Sequence, residues 1–166
     1  MKLHFKQIII SDLPTVLSLF KAAAEKIAKK NVDHWQYWKN PPQEKIDWVK
    51  EGISNHEFFF ILNSNNDLIG MVRILEKDLL YWGEKDDHSR YIHSLVVTNQ
   101  FEGQGLGAQI IQSIAFKAKK ENCRFLRLDC DANNAGLCGY YEKLGFIKTG
   151  QKKMPLSINN LYEKNL

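Results

Sequence analysis

The chain has 166 residues, 44% hydrophobic and 25% charged, with a net charge of +4. That length supports one domain over residues 1–166, and no apolar run is long enough for a membrane span or a signal-peptide core, so a cytoplasmic protein is expected. Lys and Arg are scattered, which argues against nucleic-acid binding and suits a small polyanionic ligand.

In chain order, "MKLHFKQII" reads as a first strand. In "SDLPTVLSLFKAAAEKIAKK", Ser11 or Asp12 is the expected N-cap and Pro14 lies in the first turn. Leu13, Val16, Leu17, Phe20, Ala24 and Ile27 recur at helical spacing there. "NVDHWQYWKNPP" reads as a loop and "PQEKIDWVKEGISN" as a second helix. "HEFFFILNSNNDLIGMVRILE" predicts a hairpin turning at Ser64–Asp67. After the polar, irregular "LLYWGEKDDHSR" comes a buried strand, "YIHSLVV". A glycine loop, a helix through "LGAQIIQSIAFKAKKEN" and the strand "RFLRLDC" follow. "NAGLCGYYEKLG" predicts a short helix stopped by Gly145, and "FIKTG" and "NNLYEKNL" supply one or two closing strands. The order is that of an α/β domain with a mixed sheet. Cys123, Cys130 and Cys138 are odd in number and form no C-x-x-C pair, so neither a disulfide framework nor a metal site is expected.

The stretch "FEGQGLGAQI" places Gly103, Gly105 and Gly107 at alternate positions just before a helix. A backbone stripped of side chains at a helix N-terminus suits a phosphate, which meets amide N–H groups and the positive end of the helix dipole. A Walker loop is excluded, because Ala108 and Gln109 stand where Lys and Ser or Thr are needed. A dinucleotide motif would use Gly103, Gly105 and Ala108, with Asp129 as the ribose acid. Against it, Thr98–Glu102 separates the strand from the first glycine, and too little chain follows for the remaining βαβ units. A third reading is a pyrophosphate on the amides of a wider loop, and a glycine-rich turn that holds no ligand is the alternative to it.

"YIHSLVVTNQFEGQGLGAQII" resembles the central signature of the GNAT superfamily of acyl-CoA-dependent N-acyltransferases: a strand, then [QR]-x-x-G-x-[GA], then a helix. Glu102 stands where that pattern has Arg or Gln. "NNAGLCGYYEKLGF" is similar to the family's second segment through Asn134, Leu137, Tyr140, Tyr141, Gly145 and Phe146. The resemblance implies a GNAT fold of small bacterial type: a mixed, mostly antiparallel six- or seven-stranded sheet, fourth and fifth strands splayed, with about four helices. It implies acetyl-CoA as co-substrate, no metal, and transfer of acetyl to a small-molecule or peptide amine by direct attack in a ternary complex, in a monomer or homodimer. Leu95, Val96 and Val97 would pair with pantetheine, and the N–H near Val96 or Val97 would receive the oxyanion. Gly103, Gln104, Gly105, Leu106, Gly107 and Ala108 would bind the pyrophosphate. Asn134 would bond the pantetheine arm and cap the short helix, and Tyr141 would protonate the departing thiolate.

Amine acylation also needs a base for the amine proton. Tyr91 and His93 share a strand face, a pattern similar to an H-x-H strand found in the family. The reference pKa of an imidazole, about 6.5, suits that role, and Glu84, Asp86, Asp87 and His88 are alternatives. Trp35, Tyr91 and Glu84 are candidates for the acceptor side; Trp35, Tyr37, Trp38 and Trp48 could equally cover the core. A CoA-binding scaffold without turnover is the alternative function, and an NAD-binding module a third.

Overall fold

The computed structural model describes all 166 residues. Its strands are β1 His4–Gln7, β2 Phe58–Leu62, β3 Leu68–Leu75, β4 Ser89–Val97, β5 Phe125–Asp131, β6 Ile147–Lys153 and β7 Ile158–Asn165. Its helices are α1 Leu13–Ala28, α2 Gln43–Ser54, α3 Leu106–Lys120 and α4 Ala135–Lys143. The strands follow the order β1-β2-β3-β4-β5-β7-β6. β4 and β5 run parallel, whereas β1 with β2, β2 with β3, β5 with β7 and β6 with β7 are antiparallel. Contacts divide the chain into two compact units, Met1–Arg73 with Ser94–Ile110 and Ile74–His93 with Ile111–Leu166.

In the first unit the apolar stripe of α1 buries Val16, Phe20 and Ala24. Phe20 stacks on Trp38 with ring centroids 3.9 Å apart and meets Phe58 edge-on at 6.5 Å. Each such fully buried side chain contributes about 1.5–3 kcal/mol by leaving water. Asp12 does occupy the N-cap position of α1, but its carboxylate reaches backwards and accepts from the Ile9 N–H at 3.0 Å. It therefore closes the 3₁₀ turn Ile10–Asp12 rather than capping the helix. The expected loop before α2 contains one 3₁₀ turn, Gln36–Lys39, with Trp35 at φ +66° just ahead of it. In the hairpin, the Asn63 side-chain oxygen accepts from the N–H groups of Asn65 and Asp67, both at 2.9 Å, which fixes the turn.

In the second unit β5 is paired with β7 along its whole length, from Phe125 with Asn165 to Asp131 with Asn159. Its parallel pairing with β4 is shorter and ends at Ile92 with Leu128. One residue after His93, Ser94 takes φ +55°, a left-handed conformation that a non-glycine residue seldom adopts within a strand. This local break lies just beyond the last β4–β5 pair. α4 ends as expected, with Gly145 at φ +87°.

Candidate active site

Strand β4 delivers the first group of expected site residues. Its end lies against β3, where Thr98 N–H donates to the Ile69 carbonyl at 2.8 Å. The approach is so close that a Cβ on Gly70 would stand 1.9 Å from the Val96 carbonyl oxygen. Val96 is buried, and Leu95 and Val97 are half-buried on either side. Beyond the strand, Gly103 and Gly105 take φ +75° and +70°, and a Cβ built on either would meet nothing within 4 Å. Both glycines therefore serve backbone conformation and an open face, not tight packing. Gly107 and Ala108 fall in the first turn of α3, where N–H groups have no intrahelical acceptor. Glu102, the departure from the family pattern, is exposed and pairs with Lys26 at 3.0 Å and Lys30 at 3.5 Å on α1. Its hydrogen bond with Lys26 holds its carboxyl below the usual range.

The second unit holds a compact cluster around His93. Nε2 of His93 lies 2.6 Å from Oδ2 of Asp78, and Nδ1 lies 3.6 Å from Oδ1 of Asp129. Both carboxylates are buried, with side chains 4% and 7% exposed, while the imidazole is 15% exposed. Asp78 is itself fixed, because its Oδ1 accepts from the Tyr81 N–H at 3.2 Å. The other oxygen of Asp129 accepts from the Asn159 side chain at 2.7 Å. Its Oδ1 has no hydrogen-bond partner although it is buried. Burial pushes the Asp129 carboxyl up, opposed by His93 and by the Asn159 hydrogen bond.

Tyr91 and His93 do share a face, but their surroundings differ. Tyr91 is 2% exposed, and its hydroxyl accepts from the Arg127 guanidinium at 2.8 Å. Arg127 also donates to Asp87 at 2.6 and 2.9 Å and to Glu163 at 2.7 Å. The expectation that Tyr91 lines the acceptor side is therefore corrected: its polar end is committed to a buried ion network. Asp87 is likewise removed as a base, since the Arg127 hydrogen bonds hold its carboxyl low. Glu84, Asp86 and His88 are exposed; the Arg90 guanidinium lies 3.1 Å from the His88 ring. Trp35 is half-buried and meets Phe20 edge-on at 5.7 Å, so its ring belongs at least partly to the core of the first unit.

Asn134 caps α4 as expected, its side-chain oxygen accepting from Leu137 N–H at 3.1 Å. On the same helix the Tyr141 ring packs against Phe146 and Tyr162, with centroids 6.0 and 6.2 Å away. Burial raises the Tyr141 phenol well above its ordinary value, helped by the nearby Cys130 and Asp129. All three cysteines are buried and free, with the Cys130 and Cys138 sulfurs 3.4 Å apart.

The sequence reading does not join Asp78 or Asp129 to His93. Asp78 lies in an irregular connection with no motif around it. Asp129 entered only as a ribose acid, because the strand register that sets it beside His93 is seen in the structure and in no spacing along the chain. Tyr91 pairs with Arg127 across the parallel strands, so two residues further on His93 and Asp129 fall side by side.

The model of the Acetyltransferase (GNAT) family matches residues 23–146. The chain belongs to the GNAT acetyltransferase family. A GNAT relative from Bacillus subtilis (strain 168), the uncharacterized N-acetyltransferase YesJ, is 35% identical over 117 residues, which are 64% of this chain and 61% of that protein. The chain thus spans about three-fifths of that relative. Among solved GNAT structures, an acetyltransferase from Listeria monocytogenes 4b F2365 superposes with a TM-score of 0.80 at 22% identity, covering 99% of this chain and 95% of its own. The PaiA N-acetyltransferase of Thermoplasma acidophilum, solved in complex with coenzyme A, gives 0.71 at 17% identity over 100% of both chains.

Proposed function

We propose that the chain is an N-acetyltransferase that moves an acetyl group from acetyl-CoA to a primary amine by direct attack in a ternary complex. The observation that carries this reading is His93: an imidazole fixed by a buried carboxylate, at the point where β4 leaves β5, within a chain of the GNAT family. The coenzyme A held by the Thermoplasma relative supports the choice of donor. The loop suits the group chemically, since Gly103 and Gly105 present main chain without side chains beside the N-terminus of α3.

Bound acetyl-CoA supplies a thioester carbonyl. The amides of Gly103–Ala108 hold its pyrophosphate, Leu95–Val97 present strand groups to the pantetheine amides, and Asn134 takes a further pantetheine hydrogen bond. His93 accepts the amine proton, so that a neutral nitrogen attacks. The N–H of Val96 or Val97 receives the oxyanion. Tyr141 donates a hydrogen bond to the departing thiolate. A phenol near 10 is a weaker acid than a thiol near 8.5, so full transfer is uphill by roughly 2 kcal/mol even before burial raises Tyr141 further. Hydrogen bonding, not complete protonation, is its role. Trp35 and the exposed Glu84 stay candidates for the acceptor side. No helix is long and apolar enough to cross a membrane, and a cytoplasmic bacterial enzyme, monomeric or homodimeric, is the setting proposed.

Release of free thiol from acetyl-CoA, measured across polyamines, amino acids, aminoglycosides and peptide N-termini, tests the reading. Amine-dependent thiol release is expected for at least one class. Tight CoA binding with no turnover on any class would replace it with the CoA-binding scaffold.

A further inference from the structure

Two buried carboxylates around one imidazole exceed what orientation alone requires. Asp78 already fixes the ring, at 2.6 Å from Nε2. With Nε2–H donating there, Nδ1 is the nitrogen with the lone pair, and it faces the Asp129 Oδ1 at 3.6 Å. That oxygen is buried without a hydrogen-bond partner, on a side chain only 7% exposed. Leaving a charged oxygen buried and unpaired is costly in any fold, so its position calls for a transient partner.

We propose that Asp129 is a catalytic residue that shares with His93 the proton lost by the acceptor amine, with Asp78 as the positioning residue. The proposal rests on the acetyl-transfer reading above. The acceptor enters as an alkylammonium, for which the Asp129 carboxylate is the counter-ion. Its N–H bond breaks, and the proton passes to Nδ1 of His93. The imidazolium then faces Oδ1 of Asp129, and the pair carries that proton as one unit. The freed nitrogen lone pair forms the C–N bond to the thioester carbon, the C–S bond breaks with its electron pair leaving on sulfur, and the acylated nitrogen gives its second proton to that thiolate, so that a neutral amide and a free thiol result. The shared proton leaves to solvent to reset the pair. A weakly basic arylamine, already neutral at pH 7, needs no such counter-ion, so alkyl amines are the preferred class.

The titration belongs to the cluster, not to one residue. The groups facing it are Asp78, Asp129 and the Tyr81 ring, whose centroid is 5.3 Å from that of His93. Asn159 bonds Asp129, and Cys130 and Tyr141 feel its charge.

Two measurements on Asp129→Asn, Asp78→Asn and the unaltered chain test this. One is the pH profile of kcat/KM for an accepted alkyl amine. The other is nitrogen NMR of the His93 ring without ligand, which needs no turnover. Asp129→Asn should lower kcat/KM about tenfold or more and move the acid limb to lower pH, because a carboxylate that favours the imidazolium is gone. The KM for acetyl-CoA should hold. The ring should keep its proton on Nε2 in Asp129→Asn and lose that preference in Asp78→Asn. An acid limb that stays in place in Asp129→Asn, or a ring bearing its neutral proton on Nδ1 in the unaltered chain, overturns the proposal. Absence of turnover on every amine strikes the acetyltransferase reading instead, and the NMR result then decides the cluster's arrangement alone. Thermal melts of both variants identify any loss of fold.

Discussion

At Asp129 function and stability pull apart. Its folded-state pKa is raised by burial, so between the unfolded and folded values the native chain binds more protons than the unfolded one. Its contribution to stability is therefore present at low pH and lost as pH rises through the folded value. Asp129→Asn removes the buried charge yet leaves an oxygen to accept from Asn159. The variant should melt at a higher temperature than the unaltered chain at pH 7, and the difference should shrink as pH falls towards the ordinary carboxylate range near 3.9. Calorimetry over that range gives the sign directly, and a variant less stable at pH 7 would count against a buried, unsatisfied Oδ1. Tyr141 offers a second test at this scale. Replacing a hydrogen bond to a developing thiolate costs roughly 1.5–3 kcal/mol, so Tyr141→Phe should lower kcat about ten- to a hundredfold. Because burial keeps the phenol protonated, no basic limb below pH 10 should disappear with it.

Two glycines in the first unit, Gly70 on β3 and Gly105 before α3, are needed for opposite reasons. Gly105 is left-handed with open space beyond its missing Cβ, so Gly105→Ala should cost only about 1–2 kcal/mol of stability. The methyl group would face the proposed pyrophosphate, and the KM for acetyl-CoA should rise while the fold survives. Gly70 is constrained by packing, since its Cβ would overlap the Val96 carbonyl of the neighbouring strand. Gly70→Ala has nowhere to go but to force backbone aside, and should cost roughly 3 kcal/mol or more. Chemical denaturation of the two variants separates the cases: a loss at Gly105→Ala as large as at Gly70→Ala would refute the open-loop geometry. Glu102 behaves as a residue of α1 rather than of the loop. Its pairing with Lys26 and Lys30 accounts for an acidic side chain beside the proposed pyrophosphate site.

Across the whole molecule, the elements were legible because hydrophobic period, caps and glycine stops agree. The stripe of α1, the Asn134 cap and the Gly145 stop all lie where the sequence placed them. Candidate site residues can be named from the sequence only where they sit in a local motif, as His93, Asn134 and the glycine loop do. Asp78 depends on how an irregular connection folds back on β4, and Tyr91 on an arginine of another strand. Such contacts have no spacing rule along one chain. The remaining test acts on the molecule as a unit. A ligand that binds only the folded chain stabilises it by mass action, about 2.7 kcal/mol at a hundred times its Kd. For a chain of 166 residues, each kcal/mol moves Tm by about 2–4 °C. Acetyl-CoA at that excess should therefore raise Tm by roughly 5–10 °C, and NADH should leave it unchanged. Stabilisation by NADH and not by CoA would turn the glycine loop back into a dinucleotide site.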